Sequence, residues 1–89
     1  MTYKVNILEK ADEDLSWFRK NDRVSYVKCF DLVRELISHP REGTGKPERL
    51  KYFEKEVYSR RVNNNDRLIY TVYEKIHEID ISSFRSHYE

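Results

Sequence analysis

The sequence predicts an α+β fold, a helical hairpin packed on one face of a small antiparallel sheet, in the order β-α-α-β-β-β. Three observations carry this. Apolar residues recur at helical spacing twice between residues 8 and 37, and three short runs from Val57 onward read as strands. Both glycines and both prolines fall between Pro40 and Pro47. A change of apolar period across a cluster of backbone breakers divides a helical first half from a stranded second half.

Tyr3-Lys4-Val5-Asn6-Ile7 alternates with period two and predicts the first strand. From Leu8 the period lengthens: Leu8, Ala11, Leu15 and Phe18 form a helical stripe. Asp12, Glu13 and Asp14 fall in its early turns and Arg19-Lys20 at its end, the arrangement a helix dipole favours. Asn21-Asp22 supplies a break and an N-cap. A second stripe follows with Tyr26, Cys29/Phe30, Val33 and Leu36/Ile37, closed by His39-Pro40 because the residue before proline is driven out of helical geometry.

Val57–Val62, Arg67–Tyr73 and Ile76–Ile81 predict three strands in a meander. Asn63-Asn64-Asn65-Asp66 and Glu74-Lys75 are the turns, the first chosen because Asn and Asp tolerate left-handed geometry. Parity fixes the register. Leu68, Tyr70 and Val72 share one face, Tyr58 and Val62 suit the same face of the preceding strand, and Val62 falls opposite Asp66. Arg61 then lies opposite Arg67 on the face away from the helices, with Ser59 opposite Ile69. Like charges directly opposite destabilise a sheet, so the pair implies an anion to receive. Arg60 falls on the core-facing side and is expected at an edge, its stem buried and its head in water.

Eighty-nine residues make one domain, and the lone Cys29 excludes an internal disulfide framework or a cysteine-based zinc site. Cys29 itself reads as a small buried hydrophobe. A domain of this size buries only roughly 60–65 % of its unfolded surface, so a stabilising partner is expected. Met1-Thr2-Tyr3-Lys4 leads straight into charged sequence, no run is long and apolar enough for a membrane span, and a cytoplasmic setting is expected. The net charge of +1 is small for a nucleic-acid binder, but residues 41–67 carry eight cations against five acids. That excess coincides with the breaker loop and the arginine strand. One carboxylate among cations, a late imidazole and an arginine cluster are the parts that cleave a phosphodiester without a metal.

The motifs Gly43-x-Gly45-Lys46-Pro47-Glu48-x-Leu50-Lys51, Ser59-Arg60-Arg61, Arg67-Leu68-x-Tyr70 and the final His87-Tyr88 together resemble the YoeB/Txe toxins of toxin–antitoxin pairs, within the RelE-like mRNA interferase superfamily. The resemblance runs nearly end to end and includes the helix bearing Trp17 and the His39-Pro40 break. It implies a RelE-like, microbial-ribonuclease-like fold and a metal-independent endoribonuclease without cofactors. Such an enzyme cuts messenger RNA in the ribosomal A site and is neutralised by a YefM/Phd-type antitoxin; whether the toxin forms a homodimer is left open. Carried over by motif, the catalytic set is Glu48, Arg61, Arg67, His87 and Tyr88, with Lys46, Lys51 and Arg60 as RNA or phosphate contacts. Two departures are visible. Tyr58 stands where a tryptophan is implied before Ser-Arg-Arg, and Glu89 follows the tyrosine at which the family pattern ends.

Each assignment has a bland rival: a solvated loop glutamate, a frayed tail histidine, surface arginines. Glu48 is assigned as the base that takes the 2′-OH proton, and His87 as the acid, because imidazole titrates near 6.5. Arg61 and Arg67 suit the phosphate, being permanently charged planar forks. Tyr88 is read as stacking on a base or orienting the phosphate. His39 and His77 read as structural. The alternative is a non-catalytic toxin on the same scaffold that binds RNA, the ribosome or gyrase; the resemblance implies that gyrase inhibitors lack the Glu, His and Tyr set.

Overall fold

The computed structural model describes residues 2–87; Tyr88 and Glu89 lie outside the described residues. The elements in chain order are β1 (Lys4–Ile7), α1 (Glu9–Asn21), α2 (Arg23–Ser38), β2 (Glu48–Arg49), β3 (Glu56–Arg61), β4 (Asp66–Tyr73), a short 3₁₀ turn (Glu74–Ile76) and β5 (Glu78–His87). The two helices pack on one face of a five-stranded sheet of order β1-β5-β4-β3-β2. The α+β class and the helical hairpin are as the sequence predicts. The sheet is mixed rather than wholly antiparallel, because β1 pairs parallel to β5. A strand joined to its sheet through a helical pair escapes the short turns that enforce antiparallel pairing.

Local chemistry accounts for the element boundaries. The Asp22 carboxylate accepts from the Ser25 N–H (3.1 Å) and the Ser25 hydroxyl (2.6 Å), an N-cap that turns the chain from α1 into α2. Helix α2 stops at Ser38, before Pro40, with the His39 N–H closing onto the Glu35 carbonyl. Its buried stripe is Ser25, Cys29, Leu32 and Leu36, rotated about one residue from the predicted stripe, so Phe30 and Val27 face outward. The β3–β4 turn works differently from expectation. None of Asn63, Asn64, Asn65 or Asp66 is among the residues with positive φ. Instead the Asn63 side chain accepts from the N–H groups of Asn65 (2.8 Å) and Asp66 (2.7 Å). Positive φ falls instead at Lys46, Tyr52 and His77, among the non-glycine residues described; His77 (φ 55°) ends the 3₁₀ turn and stacks on Tyr3 at 4.5 Å rather than lying within a strand.

The core lies between the hairpin and the sheet. Ala11, Phe18, Leu32 and Leu36 meet Leu68, Tyr70, Ile79, Ile81 and Phe84, all essentially inaccessible. Burying one large apolar side chain of this kind contributes roughly 1.5–3 kcal/mol. Strand β5 continues six residues past the predicted end at Ile81, because its ladder with β4 shifts register twice between Arg67 and Tyr70. Such bulges re-aim a strand and its side chains. Here they are held from above. Asp14, grouped by sequence with Asp12 and Glu13 as a dipole-favoured acid, is instead buried, and its Oδ2 accepts from the N–H groups of Phe84 (2.9 Å) and Arg85 (3.1 Å). Lys10 pairs with the same carboxylate at 2.7 Å. The Arg85 guanidinium then lies over Trp17, 3.6 Å from the ring centre. Among the described residues no helix is long and apolar enough to cross a membrane.

Candidate active site

The sheet face opposite the helices begins with the arginine pair. Arg61 lies directly across from Arg67 in the β3–β4 ladder, and Ser59 across from Ile69, the register that parity predicts. Side chains directly opposite in an antiparallel ladder stand on the same face, with Cβ atoms roughly 4.5–5.5 Å apart. Arg61 is exposed and Arg67 largely buried, and with the Asn63-Asn64-Asn65 turn they line a polar hollow at the sheet's end.

Glu48 reaches this face by pairing. In the short β2–β3 ladder it stands opposite Ser59, so its exposed carboxylate projects on the same side as Arg61 and Arg67. An open cleft runs alongside, lined by Leu50, Phe53, Ser59, Arg67, Ile69, Ser86 and His87. Ser86 pairs across from Arg67 on the cleft side, and the next residue, His87, across from Asp66, lines the cleft's edge at the extended end of β5. Three strand spacings of about 4.8 Å separate β2 from β5, so Glu48 and His87 flank the arginines from opposite sides. The Ser59 hydroxyl is buried in the cleft lining and, among the described residues, has no hydrogen-bond partner. Phe53 is 57 % exposed and overhangs the cleft as an apolar surface of the kind on which bases stack.

The loop that presents Glu48 is moulded on Arg60. The sequence reading placed Arg60 at an edge with its head in water; the structure corrects this. Arg60 is 0 % exposed, on a strand covered on both sides by β2 and β4. Its Nε donates to the Tyr70 hydroxyl (3.0 Å), Nη1 to Glu35 Oε1 (2.6 Å) and the Thr44 carbonyl (3.3 Å), and Nη2 to the carbonyls of His39 (2.5 Å) and Glu42 (2.9 Å). A guanidinium has five N–H groups and all are spent here, so none remains for a phosphate. The reason is the loop itself: His39, Glu42 and Thr44 turn their carbonyls toward Arg60, and buried acceptors demand donors. Tyr70 completes the mould by donating to the Pro40 carbonyl at 2.6 Å.

Glu35 anchors the other side of the loop. The Thr44 N–H, assisted by the Thr44 hydroxyl and Arg60, holds its carboxyl below the usual carboxylate range. Gly43 suits this place because its φ of 119° is one that L side chains rarely adopt; a Cβ there would also push on the Glu35 carboxylate, 1.9 Å away. Lys46 and Lys51 are exposed on the segments flanking Glu48. Tyr58, in the place of the implied tryptophan, is buried on the core side, stacked on Tyr70 at 5.6 Å with its hydroxyl donating to Glu56. Cys29 is buried, and that burial pushes its thiol up to about 12, so no thiolate is present for chemistry at neutral pH. Among the described residues no group of three or more His, Cys, Asp and Glu side chains is arranged to hold a metal ion.

The structure therefore brings Glu48, Arg61 and Arg67 to one side of the sheet, sets His87 at the edge of the cleft beside them, and removes Arg60 from it. Sequence reasoning missed Asp14, which pins the bulge that aims the tail, and Ser59 and Phe53 as cleft surface. Parity had already put Ser59 on the open face; Asp14 left no signal, because a buried acid in a first helix looks like a dipole partner.

Comparison with known proteins places the chain in a family. Residues 8–88 match the family described as YoeB-like toxin of bacterial type II toxin-antitoxin system. The chain is 34 % identical over 86 residues to Toxin YoeB of Synechocystis sp., covering 97 % of this chain and 98 % of that protein. Its fold superposes on the YoeB dimer from Staphylococcus aureus with a TM-score of 0.85 at 35 % identity, covering 99 % of this chain and 100 % of the other. It superposes on a heterotetrameric YoeB-YefM complex from the same organism with a TM-score of 0.80 at 35 % identity, with the same coverage. The chain belongs to the YoeB-like family of toxins from bacterial type II toxin–antitoxin systems.

Proposed function

We propose that this toxin is a ribosome-dependent endoribonuclease that cuts messenger RNA through the RNA's own 2′-hydroxyl and so halts translation. The observation that carries the reading is one sheet face shared by Glu48 and the opposed Arg61–Arg67 pair, with His87 at its rim. Glu48 accepts the 2′-OH proton. The 2′-oxygen attacks phosphorus, the bond from phosphorus to the 5′-oxygen breaks, and the leaving oxygen takes the Nε2 proton of His87. Arg61 and Arg67 neutralise the charge that grows on the phosphoryl oxygens. Lys46 and Lys51 meet neighbouring phosphates, and Tyr88 stacks on or orients the nucleotide. The RNA fragments carry a 2′,3′-cyclic phosphate or 3′-phosphate and a 5′-OH. No metal or cofactor enters this scheme.

The net charge of +1 favours a substrate presented by the ribosome in its A site over one gripped from solution. A YefM-like antitoxin is the proposed partner: an acidic segment that folds onto the cationic face and covers it. The YoeB-YefM complex from Staphylococcus aureus supports that partner, and the YoeB dimer from the same organism supports self-association of the free toxin.

End-group analysis of messenger RNA from a purified translation reaction tests the activity. Cuts within codons ending in cyclic or 3′-phosphate are expected. Translation arrest with intact messenger, or cuts leaving 3′-OH ends, refutes the mechanism and favours a non-catalytic ribosome-binding toxin.

A further inference from the structure

Asp66 carries an unusual burden. It is 8 % exposed, and its Oδ1 is a buried oxygen with no hydrogen-bond partner among the described residues. Its Oδ2 is satisfied by the Asn63 amide at 3.0 Å, which also donates to the Ser25 hydroxyl at 2.8 Å. Leaving one acceptor of a buried carboxylate unmade is costly. The ladder puts His87 directly opposite Asp66, and the His87 Nδ1 stands 3.8 Å from that same Oδ1. A closure of roughly 1 Å makes a charge-assisted hydrogen bond of ordinary length. His87 also lines the edge of the cleft with Arg67 and Ser59. With Nδ1 near the buried carboxylate, Nε2 is the ring nitrogen on the side away from it. Among the groups near Asp66, the Cys29 thiol, pushed up to about 12 by its burial, stays protonated and offers no competing charge.

We propose that Asp66 is a positioning residue for His87, its orphaned Oδ1 accepting the Nδ1–H so that Nε2 is presented to the scissile phosphate. This rests on the nuclease reading above for its purpose, though not for its geometry. A histidine that must deliver a proton from Nε2 gains from a partner that fixes ring and tautomer. The Asn63 side chain holds the carboxylate from below, so the orientation is built into the β3–β4 turn that also carries the arginines.

The test is nuclear magnetic resonance of ¹⁵N-histidine-labelled toxin, above the pH at which the ring loses its charge. Wild type should hold His87 in the Nδ1–H tautomer, whereas free histidine prefers Nε2–H. Asp66→Asn keeps the contact to Asn63 but turns an amide donor toward Nδ1, and should shift His87 to the Nε2–H form. Nε2–H in wild type, or an unchanged tautomer in Asp66→Asn, overturns the proposal, whether or not the toxin cleaves RNA. If Asp66→Asn does not fold, the wild-type tautomer decides alone. In the cleavage assay Asp66→Asn should lose at least about tenfold, within the roughly 10²–10⁴-fold that acid catalysis contributes. Combined with His87→Gln it should cost nothing further. A second loss in the double variant marks a structural role and overturns the assignment. A wild-type toxin that cuts no messenger defeats the nuclease reading and leaves the tautomer result standing.

Discussion

Glu35 and Arg60 meet at 2.6 Å where α2 faces β3, and the loop between them in sequence is folded around their contact. The pair converts an inward-facing run of carbonyls into a rigid platform from which β2 and Glu48 emerge. A buried cation costs desolvation, and here it is offset by five satisfied donors.

Replacing Arg60 by Met should therefore destabilise the protein by roughly 1–3 kcal/mol or more, the cost of leaving the inward-facing loop carbonyls without donors. Urea unfolding followed by circular dichroism measures this. A loss below about 1 kcal/mol would mean that the loop keeps its own shape and that Arg60 is dispensable to it.

Glu48→Gln should lower cleavage by roughly 10²–10⁴-fold, the range general base catalysis supplies. The side chain is exposed, so the unfolding midpoint should stay put. Arg61→Ala should likewise suppress cleavage with no loss of stability, and a small gain is expected from relieving the like-charge pair with Arg67. Single-turnover cleavage on programmed ribosomes and thermal melts separate the two effects. Full activity in either variant removes that residue from the chemistry.

Acid should weaken the fold in a defined window. Hydrogen bonds hold the carboxyls of Glu35, Glu56, Glu74 and Asp22 below their ordinary range: from Thr44 to Glu35, Arg41 to Glu56, Tyr3 and Arg41 to Glu74, and Ser25 to Asp22. A carboxyl lowered in the folded state adds stability that is complete above its unfolded value of about 3.9–4.3 and is lost as pH falls through the folded one. Denaturation midpoints should thus be flat from neutrality to about pH 5 and fall below it. Glu35→Gln should flatten that fall in part. A midpoint independent of pH between 5 and 3 contradicts the assignment of these contacts.

The fold class, the helical pair and the Arg61–Arg67 register were legible because periodicity and parity report which face of an element is buried. Asp22 and Pro40 were legible as punctuation because capping and proline sterics are local. Arg60 was misjudged for a reason of the opposite kind. Parity put it on the core side, but the carbonyls that need it belong to residues 39–44, a long-range demand that no short window contains. The parallel placement of β1 and the bulges of β5 were hidden likewise, since both depend on contacts between the two ends of the chain. Of the proposed site, the arginines and Glu48 were visible as a motif. The relation of Asp66 to His87 was not, because it exists only once β5 has run past its bulges.

The clasp from Asp14 to the backbone of Phe84 and Arg85 spans seventy positions of sequence. Its consequence is that the first helix cannot settle by itself: without the backbone of Phe84 and Arg85 the Asp14 carboxylate would lose those two donors, so α1 and β5 are expected to order together.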